Sequence, residues 1–455
     1  MLTYELKKSP GVPLYEALYR CIRGDILSGK LQPGEKLPSK RALAQNLEVS
    51  KITVETAYNQ LLSEGYIASR EKVGYFVETV ERHAPAVQPT AGRETAPPRE
   101  FLLDLTANGT EQFPFSVWSR LQREVMLDYG EKLLSPLPNR GIPELRQAIA
   151  DHLAAFRGMH VDPENILIGA GTDFLYNLLI QLLGRDKTYA EEEPGYGKIR
   201  KIYAAGGVRC VSAPMDSLGV LPESLKTADV LHFSPSHHFP TGLVTPVSRR
   251  MELLAWANGG EKWIIEDDYD SEFRFDAHPK PAMQSLDGSG RVIYMNTFSK
   301  SLAPSIRISY MVLPRALMEE FQRKLGFYSC TVPSFEQYTL ARFLSRGFFE
   351  KHINRMRKFY KNRRNAVVSL LESCVFADRL TILEQDAGLH FLLKVDTPLS
   401  DRELTARLEA AGVRIKALSS YYHDGSGDLH CLVVNYSGLK EEALEQALAD
   451  IGSVM

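Results

Sequence analysis

Residues 81–100, ERHAPAVQPTAGRETAPPRE, limit the folds open to this 455-residue chain more than any other stretch. They hold four Pro and four Ala, and Val87 is the only larger aliphatic among them. Such a segment has no apolar surface to bury, and its prolines keep it extended, so it reads as a semi-stiff linker. The chain is therefore expected to fold in parts, residues 1–80 before the linker and residues 101–455 after it. Its length agrees, since it exceeds what one ordinary core encloses.

Bulk composition narrows the class. Apolar content of 44% and charged content of 24% are those of a soluble globular protein. Net charge is −2, so no global field draws the molecule to nucleic acid or an anionic membrane, and any DNA-binding part must be local. The five cysteines (21, 210, 330, 374 and 431) are scattered and lack CxxC spacing. That argues against a disulfide framework or zinc site and for a reducing cytosol. MLTYELKKSP lacks the apolar core of a signal peptide, and no run approaches membrane-spanning length. A cytoplasmic protein with no membrane partner is expected.

Residues 14–79 read as a compact unit. Leu14, Ala17, Leu18, Cys21, Ile22 and Ile26 recur at helical spacing, and GKLQPGEKLP ends that helix. Ser39 is placed to cap a second helix burying Leu43, Ala44 and Leu47. After Glu48–Val49, Ser50 caps a third helix. Its inner face is Val54, Ala57, Tyr58, Leu61 and Leu62, and its outer face carries Lys51, Thr53, Thr56, Asn59 and Gln60. Two short helices with a tight turn, the second starting with small polar and basic groups, have the geometry that enters a major groove. Tyr66–Ser69 and Tyr75–Val77 read as a hairpin tipped by REKVG, a wing that brings Arg70 and Lys72 to phosphates. Period and capping alone leave a small helical bundle used for protein contacts equally open.

The residues themselves shift the balance. PGEKLPSKRALAQNLEVSKITVETAYNQLLSEGYIASREKVGYFV resembles the winged helix-turn-helix of the GntR family of bacterial regulators along its whole length. LPSKRALAQ and AYNQLLSEGYI carry most of the match. The resemblance implies contacts to double-stranded promoter DNA from Lys40 and Arg41, from Ser50, Lys51 and Thr53, and from the wing. Residues 1–80 hold 11 Lys/Arg against 9 Asp/Glu. Affinity should then rest on a few phosphate contacts and on dimerisation, and should fall with salt.

From Phe101 onward, short apolar runs (ENILIGAG, DVLHFSPS, EKWIIEDDY, RVIYMNTFS) alternate with helical stretches such as TDFLYNLLIQLLG. This predicts an α/β domain with a mostly parallel sheet. From about residue 350 the pattern changes. A basic helix, EKHINRMRKFYKNRR, read as a solvated face, precedes HFLLKVD, TARLEAAG and CLVVNYS, which suggest a smaller α+β lobe.

Ligands of open α/β sheets bind at the carboxyl ends of strands, and four such ends carry unusual chemistry. Gly171 and Thr172 open a helix after ILIGAG, where backbone amides and the helix dipole suit a phosphate. Tyr196 follows EEEPG on a loop where its ring can lie against a planar ligand. Asp267, Asp268 and Tyr269 follow KWIIE. A carboxylate there needs a partner, which a protonated ring nitrogen, a capped strand end or a metal would each supply. The fourth end is Ser299–Lys300, with Arg307 seven residues on. A phosphate cradle, a stacking ring, a carboxylate for a pyridinium and a Schiff-base lysine together form the kit for pyridoxal 5′-phosphate. No metal is expected.

GTDFLYNL, EEEPGY, SPSHHFPTG, EDDYDSEFRF and TFSKSLAPSIRISYMVLP resemble the motif series of the MocR subfamily, regulators that join a GntR winged helix to an aminotransferase-like domain. The match runs the length of the chain. It implies an aminotransferase fold of type I, with Lys300 as the Schiff-base residue, Asp267 paired to the pyridine nitrogen and Tyr269 bonded to the ring hydroxyl. It also implies Tyr196 stacked on the ring, and Gly171, Thr172, Ser299 and Arg307 holding the phosphate. A head-to-tail homodimer is implied as well. Two departures stand out. Aminotransferases have Asn where Phe239 stands before Pro-Thr-Gly, and an arginine for the substrate carboxylate that CLVVNYSG lacks. Near Tyr196 the chain offers Lys198 and Arg200 for such a carboxylate. The expectation is a regulator sensing an amine, amino acid or B6 vitamer, with at most a residual aminotransferase half-reaction. The alternative is a working aminotransferase with an accessory DNA-binding domain.

Overall fold

A computed structural model describes residues 2–4, 6, 13–79, 101–107, 109, 112–273, 280–383, 388–423, 425 and 427–454. The linker expected over 81–100 lies outside the described residues. The chain divides into two compact units, Met1–Pro98 and Arg99–Met455.

In the first unit, helices α1 (Leu14–Ser28), α2 (Lys40–Asn46) and α3 (Lys51–Ser63) precede strands β1 (Ile67–Arg70) and β2 (Gly74–Val77). The Ser39 hydroxyl accepts the Ala42 amide at 3.2 Å, and the Ser50 hydroxyl accepts the Thr53 amide at 3.1 Å. Each satisfies an amide that the first turn of a helix leaves free. Leu18, Ile22, Leu43, Val54, Ala57, Tyr58 and Leu61 close one core with Ile67 and Val77 from the hairpin. The strands pair antiparallel from Ile67↔Val77 to Arg70↔Gly74, so the tip is only Glu71, Lys72 and Val73. Lys72 sits there at φ 58°.

The second unit is built on an eight-stranded sheet. Its strands are β3 (Ile166–Gly169), β4 (Thr188–Glu193), β5 (Arg209–Asp216), β6 (Gly219–Val220), β7 (Val230–Phe233), β8 (Trp263–Asp267), β9 (Val292–Thr297) and β10 (Ser309–Val312). They lie in the order β3-β10-β9-β8-β7-β4-β5-β6. From β9 to β5 all neighbours are parallel, β10 runs antiparallel to both β9 and β3, and β6 runs antiparallel to β5. The central strands are buried on both faces, which is why they read as unbroken apolar runs. Three helices bring side chains to the carboxyl ends: α4 (Pro143–Arg157), α5 (Thr172–Leu183) and α6 (Gly197–Ala205).

A long helix, α7 (Phe348–Ser373), leads to an antiparallel sheet of β11 (Leu380–Leu383), β12 (His390–Val395), β13 (Lys416–Ala417) and β14 (Cys431–Asn435). Their order is β11-β12-β14-β13. The basic run within α7 is not wholly solvated: Arg364 is buried together with Ile353, Met356 and Tyr360. Among the described residues no helix is long and apolar enough to cross a membrane, and no group of three His, Cys, Asp or Glu could hold a metal ion.

Candidate functional site

Lys300 sits on a single helical turn, Phe298–Ser301, at the end of β9. The turn is fixed from both sides. Thr297 Oγ1 accepts the Ser299 amide at 3.1 Å and the Ser309 hydroxyl at 2.8 Å, while His352 Nε2 lies 2.8 Å from the Ser301 carbonyl oxygen. Burial pushes the Lys300 amine below its ordinary pKa, and the nearby Asp270 carboxylate works the other way. A desolvated amine with a depressed pKa on a rigid turn is suited to attack a carbonyl.

Asp267 ends the adjacent strand, level with Met295 of β9. Its Oδ2 accepts the Tyr176 hydroxyl of α5 at 2.5 Å and lies 3.6 Å from His232 Nε2 of β7. His232 Nδ1 is in turn 2.7 Å from the Tyr203 hydroxyl of α6. Burial and the Asp267 charge push the Tyr176 phenol well above its ordinary pKa, so it stays a donor at neutral pH. Among the described residues, Asp267 Oδ1 is buried with no hydrogen-bond partner. Such an orphaned acceptor is costly and suits a protonated ring nitrogen. Asp268 has a different set of partners. It forms a buried ion pair with Arg157 of α4 at 3.1 Å and accepts the Tyr294 hydroxyl at 2.7 Å. Burial opposes its charge, but Arg157 holds the carboxyl below its usual range.

The cradle is made by backbone. Gly171, the N-cap of α5, has φ 89°, and a Cβ there would stand 2.3 Å from Arg307 Nη2. Arg307 itself is left-handed at φ 50°. Asp173 Oδ2 holds its guanidinium at 3.3 Å and the Lys198 ammonium at 2.7 Å. Thr172 opens α5, so free amides and the Arg307 cation come together where an anion would sit. The donor set therefore fits the cofactor expected from the sequence.

Tyr196 is 49% exposed, and its ring meets Phe239 edge-on at 5.7 Å. The Tyr269 hydroxyl lies 3.4 Å from His237 Nδ1. Sequence reasoning missed the group around it. His237 Nδ1 is 2.8 Å from Asp270 Oδ2, and the His237 ring packs 4.7 Å from that of His390 on β12. A Cβ on Gly388 would come within 1.8 Å of the His237 ring, so the close approach requires glycine. The paired histidines of SPSHHFPTG were visible, but nothing local signals partners some 30 and 150 residues on. Phe239 packs edge-on against His390 at 5.1 Å and Tyr421 at 5.2 Å. Arg200 is taken up by Glu191 and by Ser212.

In the first unit Arg41, Lys51, Arg70 and Lys72 are exposed, and the Arg70 guanidinium lies 4.5 Å above the Phe76 ring. Lys40 differs. Its ammonium pairs with Glu55 of α3 at 2.7 Å and stands 5.4 Å from the Tyr75 ring, tying α2 to α3. The Ser50 and Thr53 hydroxyls bond each other at 2.8 Å.

Comparison with known proteins gives two family matches. Residues 14–77 match the family described as bacterial regulatory proteins, gntR family, and residues 102–451 match aminotransferase class I and II. The uncharacterized HTH-type transcriptional regulator YdeL of Bacillus subtilis (strain 168) is 38% identical over 93% of each chain. The protein named "Probable rhizopine catabolism regulatory protein MocR" from Rhizobium meliloti is 33% identical over 98% of this chain and 95% of its own. The kynurenine aminotransferase of Pyrococcus horikoshii shares the fold, with a TM-score of 0.70 at 24% identity over 78% of this chain and 91% of that one.

Proposed function

The chain belongs to the MocR subfamily of GntR-type transcriptional regulators, and on that footing we propose that it binds pyridoxal 5′-phosphate and reports an amino-group ligand or B6 vitamer to promoter DNA. The orphaned, buried Asp267 Oδ1 carries this reading, because it asks for a cationic donor one strand away from a desolvated lysine. When bound, the cofactor supplies an aldehyde for amines and a pyridinium ring that withdraws electrons.

This chain's residues do the rest. Lys300 would hold the aldehyde through its amine, on a turn fixed by Thr297 and His352. Asp267, oriented by Tyr176, would hold a proton on the ring nitrogen. Gly171, Thr172, Ser299 and Arg307 would hold the phosphate, the Arg307 guanidinium being kept at the helix start by Asp173. Tyr196 would lie against the ring, and Tyr269 would donate to the ring hydroxyl. Arg41, Ser50, Lys51, Thr53, Arg70 and Lys72 meet the duplex, with Lys40 beside them bracing the helix pair. The protein acts in the cytoplasm as a homodimer, head-to-tail.

Titrating amines, amino acids and B6 vitamers into the cofactor-loaded protein, with visible absorbance and operator affinity followed together, tests the reading. Lys300→Ala should lose the visible band and the ligand response while keeping operator affinity. A Lys300→Ala variant that still answers its ligand sinks the proposal.

A further inference from the structure

Ile52, the second residue of α3, is 73% exposed. The core of this unit takes Val54, Ala57, Tyr58 and Leu61 from the same helix. Ile52 lies two positions before Val54, about 200° around the axis, so it points away from that core. Scattered exposed aliphatics are ordinary on protein surfaces. This one stands at the start of the second helix of the helix-turn-helix, where side chains reach base edges.

Its neighbours sharpen the point. The Ser50 and Thr53 hydroxyls bond each other at 2.8 Å, and Ser50 also accepts the Thr53 amide. The Thr56 hydroxyl donates back to the Ile52 carbonyl oxygen at 2.9 Å. The small hydroxyls around the first turn each already hold one partner within the helix, and beside them stand an exposed lysine, Lys51, and a bare sec-butyl group. Base edges in the major groove offer acceptors, donors and one apolar group, the thymine 5-methyl. An isoleucine there gains nothing from a hydrogen-bonding edge and desolvates it without return. Against a methyl it removes apolar surface from water on both sides.

We propose that Ile52 is a base-reading residue and that the operator places a thymine 5-methyl group against it. The proposal rests on the DNA-binding assignment and names the chemistry that α3 reads.

The test uses the full-length protein and a duplex it selects from a randomised pool. Each thymine of that duplex is replaced in turn by deoxyuridine, which removes only the methyl. One position in each half-site should weaken wild-type binding about fourfold, the effect of one buried methyl-sized group. Ile52→Ala should bind the parent duplex more weakly and be indifferent to deoxyuridine at that position, with an unchanged melting temperature because the side chain is exposed. If Ile52→Ala binds too weakly to titrate, Ile52→Val should bind and show a reduced but measurable deoxyuridine penalty. Failure of the protein to enrich any duplex would remove the DNA-binding assignment itself. Selection of a duplex with no methyl-sensitive thymine, or with equal sensitivity in wild type and variant, overturns the Ile52 proposal alone.

Discussion

Glu272 is a carboxyl whose chemistry runs against its surroundings. It is 3% exposed, its Oε2 has no partner among the described residues, and the Asn296 side-chain amide donates to its Oε1 at 3.4 Å. Burial, with Asp268 nearby, raises its pKa to about 8. The unfolded chain releases this proton near the ordinary glutamate range, whereas the folded chain keeps it until about pH 8. The stability Glu272 brings is therefore complete in acid and lost as pH rises from the ordinary range through about 8. Glu272→Gln keeps an acceptor for Asn296 and removes the titration. The variant should gain on wild type by roughly 3 kcal/mol between pH 5 and pH 8. Thermal melts of both proteins at the two pH values check it, and a gap independent of pH would mean that Glu272 is ionised in the fold. The sequence showed Glu272 only as one acid in EDDYDSEFRF. Its burial follows from neighbours such as Asn296, 24 residues away. Tyr176 was hidden in a similar way, since in TDFLYNLLIQLL it reads as one more apolar residue, and only its hydroxyl meeting Asp267 91 residues later gives it a role.

At the level of elements, local chemistry was legible wherever it closes within a few residues. Ser39 and Ser50 were readable as caps because a cap needs only its own first turn. The unbroken apolar runs were readable as central strands for a similar reason, since burial on both faces removes alternation. Lys40 was not readable, because whether a lysine at the start of α2 faces solvent or Glu55 depends on how α2 packs on α3. The junction of β3 with α5 lies between these cases. A glycine before a helix was visible, but its necessity appears only with Arg307 brought alongside from beyond β9. Gly171→Ala would set a Cβ 2.3 Å from Arg307 Nη2 at a backbone φ of 89°. Both effects move the guanidinium off the helix start, and the strain adds roughly 1–2 kcal/mol. Affinity for pyridoxal 5′-phosphate, read by fluorescence titration, should fall at least about tenfold, a modest loss for a displaced charge-assisted contact. Operator affinity should hold. Undiminished cofactor affinity would show that the phosphate sits elsewhere.

The whole molecule consists of two units with separate cores, one around Leu18, Val54 and Tyr58 and the others built on the eight-stranded sheet and its helices. Separate cores make separable losses. Arg41 is exposed on α2, remote in sequence from the residues around Lys300. Arg41→Ala should weaken operator binding and flatten its dependence on log salt by about one unit per protomer, as for one lost phosphate contact, while leaving the visible cofactor band unchanged. Regulation requires the two activities to be linked despite the separate cores, and linkage is reciprocal. If an amine changes operator affinity by some factor, operator duplex must change amine affinity by the same factor. Titrating the active amine with and without saturating duplex measures that factor from the second side. Equal factors in wild type, both falling to one in Lys300→Ala, would place the amine's influence on DNA at Lys300. A factor that survives in Lys300→Ala would mean that the amine acts at a different site, with the lysine serving only to hold the cofactor.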